Sequence, residues 1–98
     1  MEPREIISRL QAHEVELRAR GVAHAALFGS RARGQSRTDS DTDIMIEFDP
    51  GARVGIYEYV AIKQFIAGLF DGPVDVVDRD ALKPHLRPNV VTDAIYAF

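Results

Sequence analysis

The sequence predicts a small α/β (α+β) domain, a three-stranded sheet flanked by helices, on three observations. Two apolar runs of strand length, 22–28 and 42–48, each stop at turn-forming residues. Apolar residues at helical spacing precede the first run and follow the second. The chain has 98 residues, enough for one modest core and no more. Residues 1–98 therefore read as a single domain with the order αβ(α)βαβα.

The first helix is expected over 3–20. Pro3 suits an opening turn, and Glu2 and Glu5 face the positive end of the helix dipole. Ile6, Ile7, Leu10, Val15 and Leu17 supply its apolar stripe, and Gly21 is a natural C-terminal cap. Val22 to Phe28 then form a mostly buried strand ending in Gly29-Ser30. Arg31 to Ser40 is polar and reads as a loop with at most one helical turn. Thr42 to Phe48 alternate well enough for a second strand, stopped by Asp49-Pro50-Gly51. Between Val54 and Phe70, the residues Tyr59, Ile62, Phe65, Ile66 and Leu69 recur at helical spacing, and Asp71-Gly72-Pro73 ends that helix. Val74-Asp75-Val76-Val77 is a short third strand. In the tail, Val91, Ala94, Ile95 and Phe98 have the spacing of a final short helix.

Composition excludes several classes of function. The formal charge of -3 argues against broad, direct nucleic-acid binding through phosphate neutralisation. The absence of cysteine removes disulfides and thiolate metal sites. No apolar run approaches the roughly 20 residues of a membrane helix, and the acidic, polar start does not read as a signal peptide. A cytoplasmic protein is expected, with no membrane partner. The small size implies that a large substrate would have to bring its own fold. Ten of the twelve basic residues are arginine, and Arg31, Arg33 and Arg37 lie close enough together to meet phosphates locally.

The chemistry-bearing residues sit at strand ends. In an extended strand Asp41 and Asp43 project to one side, with Cα atoms about 6.5–7 Å apart at ~3.3 Å rise per residue. Two carboxylates at that spacing repel unless a cation joins them, and hard oxygen ligands beside phosphates suit Mg²⁺. Met45 and Glu47 continue that face, while Thr42, Ile44, Ile46 and Phe48 form the core-packing one. Asp75, between two valines, is costly unless paired, protonated or coordinated. If its strand neighbours 42–48, it completes a three-carboxylate site as ligand or general base. Gly29 lets backbone approach a phosphate, and the Ser30 hydroxyl and following N–H groups can hold its oxygens. Together these parts describe metal-assisted nucleotidyl transfer.

Each part also has a plainer reading. Gly-Ser is commonly a turn, a pair of Asp residues a solvated strand start, Asp75 an edge acid paired with Arg79, and the arginine cluster a solvated loop. The three histidines lack ligand spacing and read as structural or surface residues, and Tyr57, Tyr59 and the helical stripe as core or partner interface. The joint spacing is what favours a site.

Gly29-Ser30, ten residues, then Asp41-Thr42-Asp43 resembles the signature of the DNA polymerase beta-type nucleotidyltransferase superfamily. The string from Phe28 through Arg33 to Ile44 is similar to its minimal nucleotidyltransferase (MNT) branch. The resemblance runs from the leading helix to the tail and implies that Ser30 contacts nucleotide phosphate and that Asp41, Asp43 and Asp75 are catalytic and hold metal; the turn and loop chemistry adds Gly29 and Arg33 to the expected nucleotide-binding residues. One departure is Thr42, where the branch usually has Ile or Leu. The resemblance further implies ATP as substrate, Mg²⁺ as cofactor and a HEPN-domain toxin as partner. In that reading the chain is the antitoxin, transferring AMP to a Tyr hydroxyl of the toxin. The alternative is a catalytically silent antitoxin that neutralises its toxin by binding. Transfer to a small molecule ranks below both, because the chain lacks a further domain for such an acceptor. Nucleotide preference and assembly, whether homodimer or hetero-oligomer, stay open.

Overall fold

The computed structural model describes residues 2–29, 42–81 and 94–98. Its elements are helices α1 (Pro3–Ala12), α2 (Glu14–Ala19) and α3 (Ile56–Ala67), and strands β1 (Val22–Phe28), β2 (Thr42–Phe48), β3 (Val74–Asp78) and β4 (Ile95–Tyr96). One 3-10 turn, Arg79–Ala81, follows β3. The sheet order is β3-β2-β1-β4. β1 lies antiparallel to β2 and to β4, whereas β2 and β3 run parallel and are joined through α3, as a parallel pair requires a long crossover.

Alternation along the strands builds the core. Ala25 and Leu27 of β1, Ile44 and Ile46 of β2 and Val76 of β3 point to one face, which the helices cover with Ile6, Leu10, Leu17, Ile62 and Ile66. Side-chain and backbone hydrogen bonds close the layers. Arg9 Nη1 donates to the Leu69 carbonyl at 2.7 Å, tying α1 to the end of α3. Gly21, at φ +101, turns the chain after α2, and its carbonyl accepts from Asp49 N–H at 2.9 Å. Asp49 then begins the expected stop, its side chain accepting from Gly51 N–H at 3.0 Å.

Four expectations change. The sheet has four strands rather than three. The tail expected to be helical instead pairs, in its described part, with the edge of β1 (Leu27 with Ile95, Ala26 with Tyr96), and Ala97 N–H donates to the Ala25 carbonyl at 2.8 Å. The open edge of β1 needed partners for its backbone groups, and a tertiary demand of this kind outranks a weak helical spacing. Residues 91–93 of that expected helix lie outside the described residues. The first helix breaks at His13, whose ring Nδ1 bonds with the Arg9 carbonyl at 2.9 Å. Val15 was expected in the stripe and is 85% exposed. At ~100° per residue it stands about 160° around the axis of α2 from Leu17, the buried residue of that helix.

Among the described residues no helix is long and apolar enough to cross a membrane. The contrast between a core and an exposed member of the expected stripe is measurable. Ile46→Ala, at a fully buried site, should lower unfolding free energy by about 2–5 kcal/mol in urea titration. Val15→Ala should change it by no more than ~0.5 kcal/mol. Similar losses from the two would contradict this packing.

Candidate active site

The end of the sheet where β1 stops and β2 and β3 start collects the described candidates. Phe28 is the register partner of Asp43, and Asp43 is the register partner of Asp75. Neighbouring strands stand about 4.8 Å apart, so the two carboxylates leave one sheet face side by side. Thr42 N–H donates to the Pro73 carbonyl at 3.0 Å, and this bond sets where β3 begins and hence which residue faces Asp43. Sequence reasoning missed that role, which belongs to a backbone group and leaves no mark on residue type. Asp43 is half-buried and Asp75 is exposed.

Gly29 has φ +79, a region that favours glycine. The Asp43 carboxylate occupies the place a Cβ at Gly29 would take. The residue type is thus required twice, for the turn and for the close approach of strand β2's acid. Ser30, Arg33 and Asp41, expected to share this site, lie outside the described residues, as do Arg31 and Arg37.

The cost of an acid between two valines does not arise, because β3 is an edge strand and leaves Asp75 exposed, as the edge-acid reading has it. Arg79 was considered as its partner but pairs with Glu47 at 3.5 Å. Continuing the parallel register from Ile46 and Asp78 brings residues 47 and 79 together. Four residues at ~3.3 Å put that pair about 13 Å along the strands from Asp43 and Asp75. Met45 shares the acid-bearing face by alternation, yet it is 1% exposed, so that face is not open along its whole length.

Two oxygen-donor side chains on one face, with Arg79 engaged elsewhere, suit a hard divalent cation. Among the described residues no group of three His, Cys, Asp or Glu side chains is placed to hold a metal. The third acid of the expected set is Asp41. The parts run across the sheet in order: the Gly29 turn on β1, Asp43 on β2, Asp75 on the β3 edge. A phosphate held at the first, a cation at the second and a hydroxyl arriving from the third would lie within about 10 Å.

Behind β3, Tyr59 of α3 packs on the ring of Phe48 at 5.8 Å. Burial pushes its pKa above the ordinary 10.0, the charge of Asp78 adds to this, a hydrogen bond with the Asp78 backbone offsets part, and Asp75 adds a further rise.

Residues 5–97 match the family described as Polymerase beta, Nucleotidyltransferase. The chain is 33% identical over 93 residues to protein adenylyltransferase MntA of Thermococcus cleftensis, covering 94% of this chain and 92% of that protein. A solved structure described as a minimal nucleotidyltransferase superposes with a TM-score of 0.79 at 32% identity, over 97% of this chain and 95% of the other. A chain from the complex of tri-AMPylated Shewanella oneidensis HEPN toxin with MNT antitoxin shares the fold, with a TM-score of 0.63 and 21% identity over 94% of this chain and 71% of that one.

Two measurements follow from the geometry. Gly29→Ala places a Cβ in a left-handed conformation, costing roughly 1–2 kcal/mol, and displaces the Asp43 carboxylate. The variant should fold, melt at a lower temperature and lose nucleotidyl transfer beyond what its unfolded fraction explains. Full activity in a folded Gly29→Ala protein would separate the turn from the chemistry. For Tyr59 the folded state holds the proton more tightly than the unfolded chain. Its stabilisation is complete below the unfolded pKa and is lost as pH rises through the folded one. Urea midpoints should therefore fall with pH above 10.0, and the fall should be smaller in Tyr59→Phe.

Proposed function

Because this chain belongs to the polymerase beta nucleotidyltransferase family, we propose that it is a Mg²⁺-dependent protein adenylyltransferase that transfers AMP from ATP to a tyrosyl hydroxyl of a HEPN-domain toxin, and so serves as that toxin's antitoxin. The observation that carries the reading is Asp43 facing Asp75 across a parallel ladder, beside a glycine turn that lets the Asp43 carboxylate come close. Support for the acceptor class comes from the MntA relative, named a protein adenylyltransferase, and from the fold shared with a toxin–antitoxin complex whose toxin is AMPylated.

Asp43 and Asp75, one strand spacing apart on one face, offer carboxylate oxygens that a hard divalent cation can share. With Asp41 they would hold Mg²⁺, which when bound offsets the charge that builds up on the transferring phosphate. Gly29, Ser30 and Arg33 would cradle the triphosphate through backbone N–H groups, hydroxyl and guanidinium. The carboxylate of Asp75, exposed on the edge strand, meets an incoming hydroxyl from the open side and can take its proton. Transfer then forms the bond from the tyrosyl oxygen to the α-phosphorus and breaks the bond to pyrophosphate. Much of this catalysis is positioning and charge neutralisation, which a domain of 98 residues can supply when the partner brings the acceptor.

The test is intact-protein mass spectrometry of the neighbouring gene's product, after incubation with the chain, ATP and Mg²⁺. One or more AMP additions are expected. Asp43→Asn and Asp75→Asn should each lower the rate by at least about 100-fold while the fold survives, since both side chains lie outside the core. Mg²⁺ with a non-hydrolysable ATP analogue should raise the melting temperature of the wild type and not of Asp43→Asn. A tight complex without any AMP addition would instead establish a silent, binding antitoxin.

A further inference from the structure

The chain carries three tyrosines, and the fold treats them differently. Tyr59 is held between Phe48 and Lys63, whose ammonium lies 5.4 Å from its ring centroid. Tyr96 belongs to β4 and meets the His24 ring edge-on at 6.1 Å. Tyr57, in the first turn of α3, is 86% exposed and makes no hydrogen bond or ring contact among the described residues. Beside it, Ile56 is 76% and Val60 45% exposed. An open phenol set in an apolar shoulder is unusual for a helix whose opposite side, Ile62 and Ile66, already fills the core.

We propose that Tyr57 is itself an AMP acceptor, modified by the active site of a second copy of this chain. The inference rests on the tyrosyl-adenylyltransferase reading above. Transfer within one copy is ruled out by the topology. α3 leaves the C-terminal end of β2 and returns to the N-terminal start of β3, so its first turn sits at the opposite end of the sheet from Asp43 and Asp75. From Asp43 to Phe48 alone the strand advances about 16 Å. A second copy can offer the shoulder formed by Ile56 and Val60 to the acid-bearing end of the first, where Asp75 is already exposed. The Tyr57 oxygen bonds to the α-phosphorus of ATP, the bond to pyrophosphate breaks, and the phenolic proton passes to Asp75 and on to solvent. The product places an anionic phosphodiester in the middle of an apolar surface, so modification would change what that surface can dock.

The experiment mixes two full-length proteins, Asp43→Asn in ¹⁵N-labelled form and Tyr57→Phe unlabelled, with ATP and Mg²⁺, and reads intact masses and modified peptides. The expected result is one AMP on Tyr57 of the labelled, inactive copy, none on Tyr57→Phe, and an initial rate in wild type that rises with the square of protein concentration. Circular dichroism of Tyr57→Phe checks that it is folded. AMP on any other residue, or a wild-type rate first order in protein, overturns the proposal. So does an unmodified chain in a wild-type reaction where the HEPN partner does acquire AMP, which leaves the adenylyltransferase reading intact. If neither chain nor partner acquires AMP, both readings fall.

Discussion

The parallel ladder between β2 and β3 is the constraint on which the rest depends. Its register, started by the bond from Thr42 N–H to the Pro73 carbonyl, sets Asp43 beside Asp75 and Ile44 beside Val76 in the same stroke. Strand alternation then sends the acids to one face and the aliphatic residues to the other. A slip of one residue would turn Val74 or Val76 toward Asp43 and leave Asp75 among the helices, where an unpaired carboxylate is costly. Core and site therefore select the same register, and the α3 crossover is the length of chain that makes a parallel pairing reachable.

Among the described residues the helices cover one face of that ladder. Arg9 bonded to the Leu69 carbonyl, Gln11 to the Ala97 carbonyl at 3.0 Å, and Arg18 over the Phe98 ring at 5.0 Å from its centroid bind the helical layer to both α3 and the C-terminal strand. These contacts use charged or polar tips on aliphatic stems, which cover apolar surface while their heads reach carbonyls or rings. With ten fully buried large side chains among the described residues, such edge contacts extend a modest core.

The bounds of β1 and β2 and the acid-bearing face were legible in the residues, because turn chemistry at Gly29 and Asp49-Pro50-Gly51 and period-two alternation are local signals. What was not legible depends on distant partners. The tail has helical spacing at Ala94, Ile95 and Phe98, but the demand of the β1 edge for hydrogen bonds is invisible from the tail itself. Val15 looked like stripe because counting apolar residues ignores the break at His13. The pairing of Arg79 with Glu47 in place of Asp75 follows from inter-strand register, which a list of residues along one strand does not contain. Of the site, Gly29, Asp43 and Asp75 lie at one end of the sheet; their catalytic, nucleotide and metal roles, like those of Ser30, Arg33 and Asp41, stay with the proposal.

The division of labour between faces also explains how so small a domain can hold a cluster of acids. A buried pair of carboxylates would oppose folding by several kcal/mol, comparable with the whole stability of a domain this size. Placed at the N-terminal starts of β2 and β3, with Asp75 on an edge strand, the pair keeps contact with solvent and its mutual repulsion is screened. A strand end built this way presents two carboxylates without burying their charge. It requires a rigid register beneath it, and the aliphatic side of the same two strands provides that.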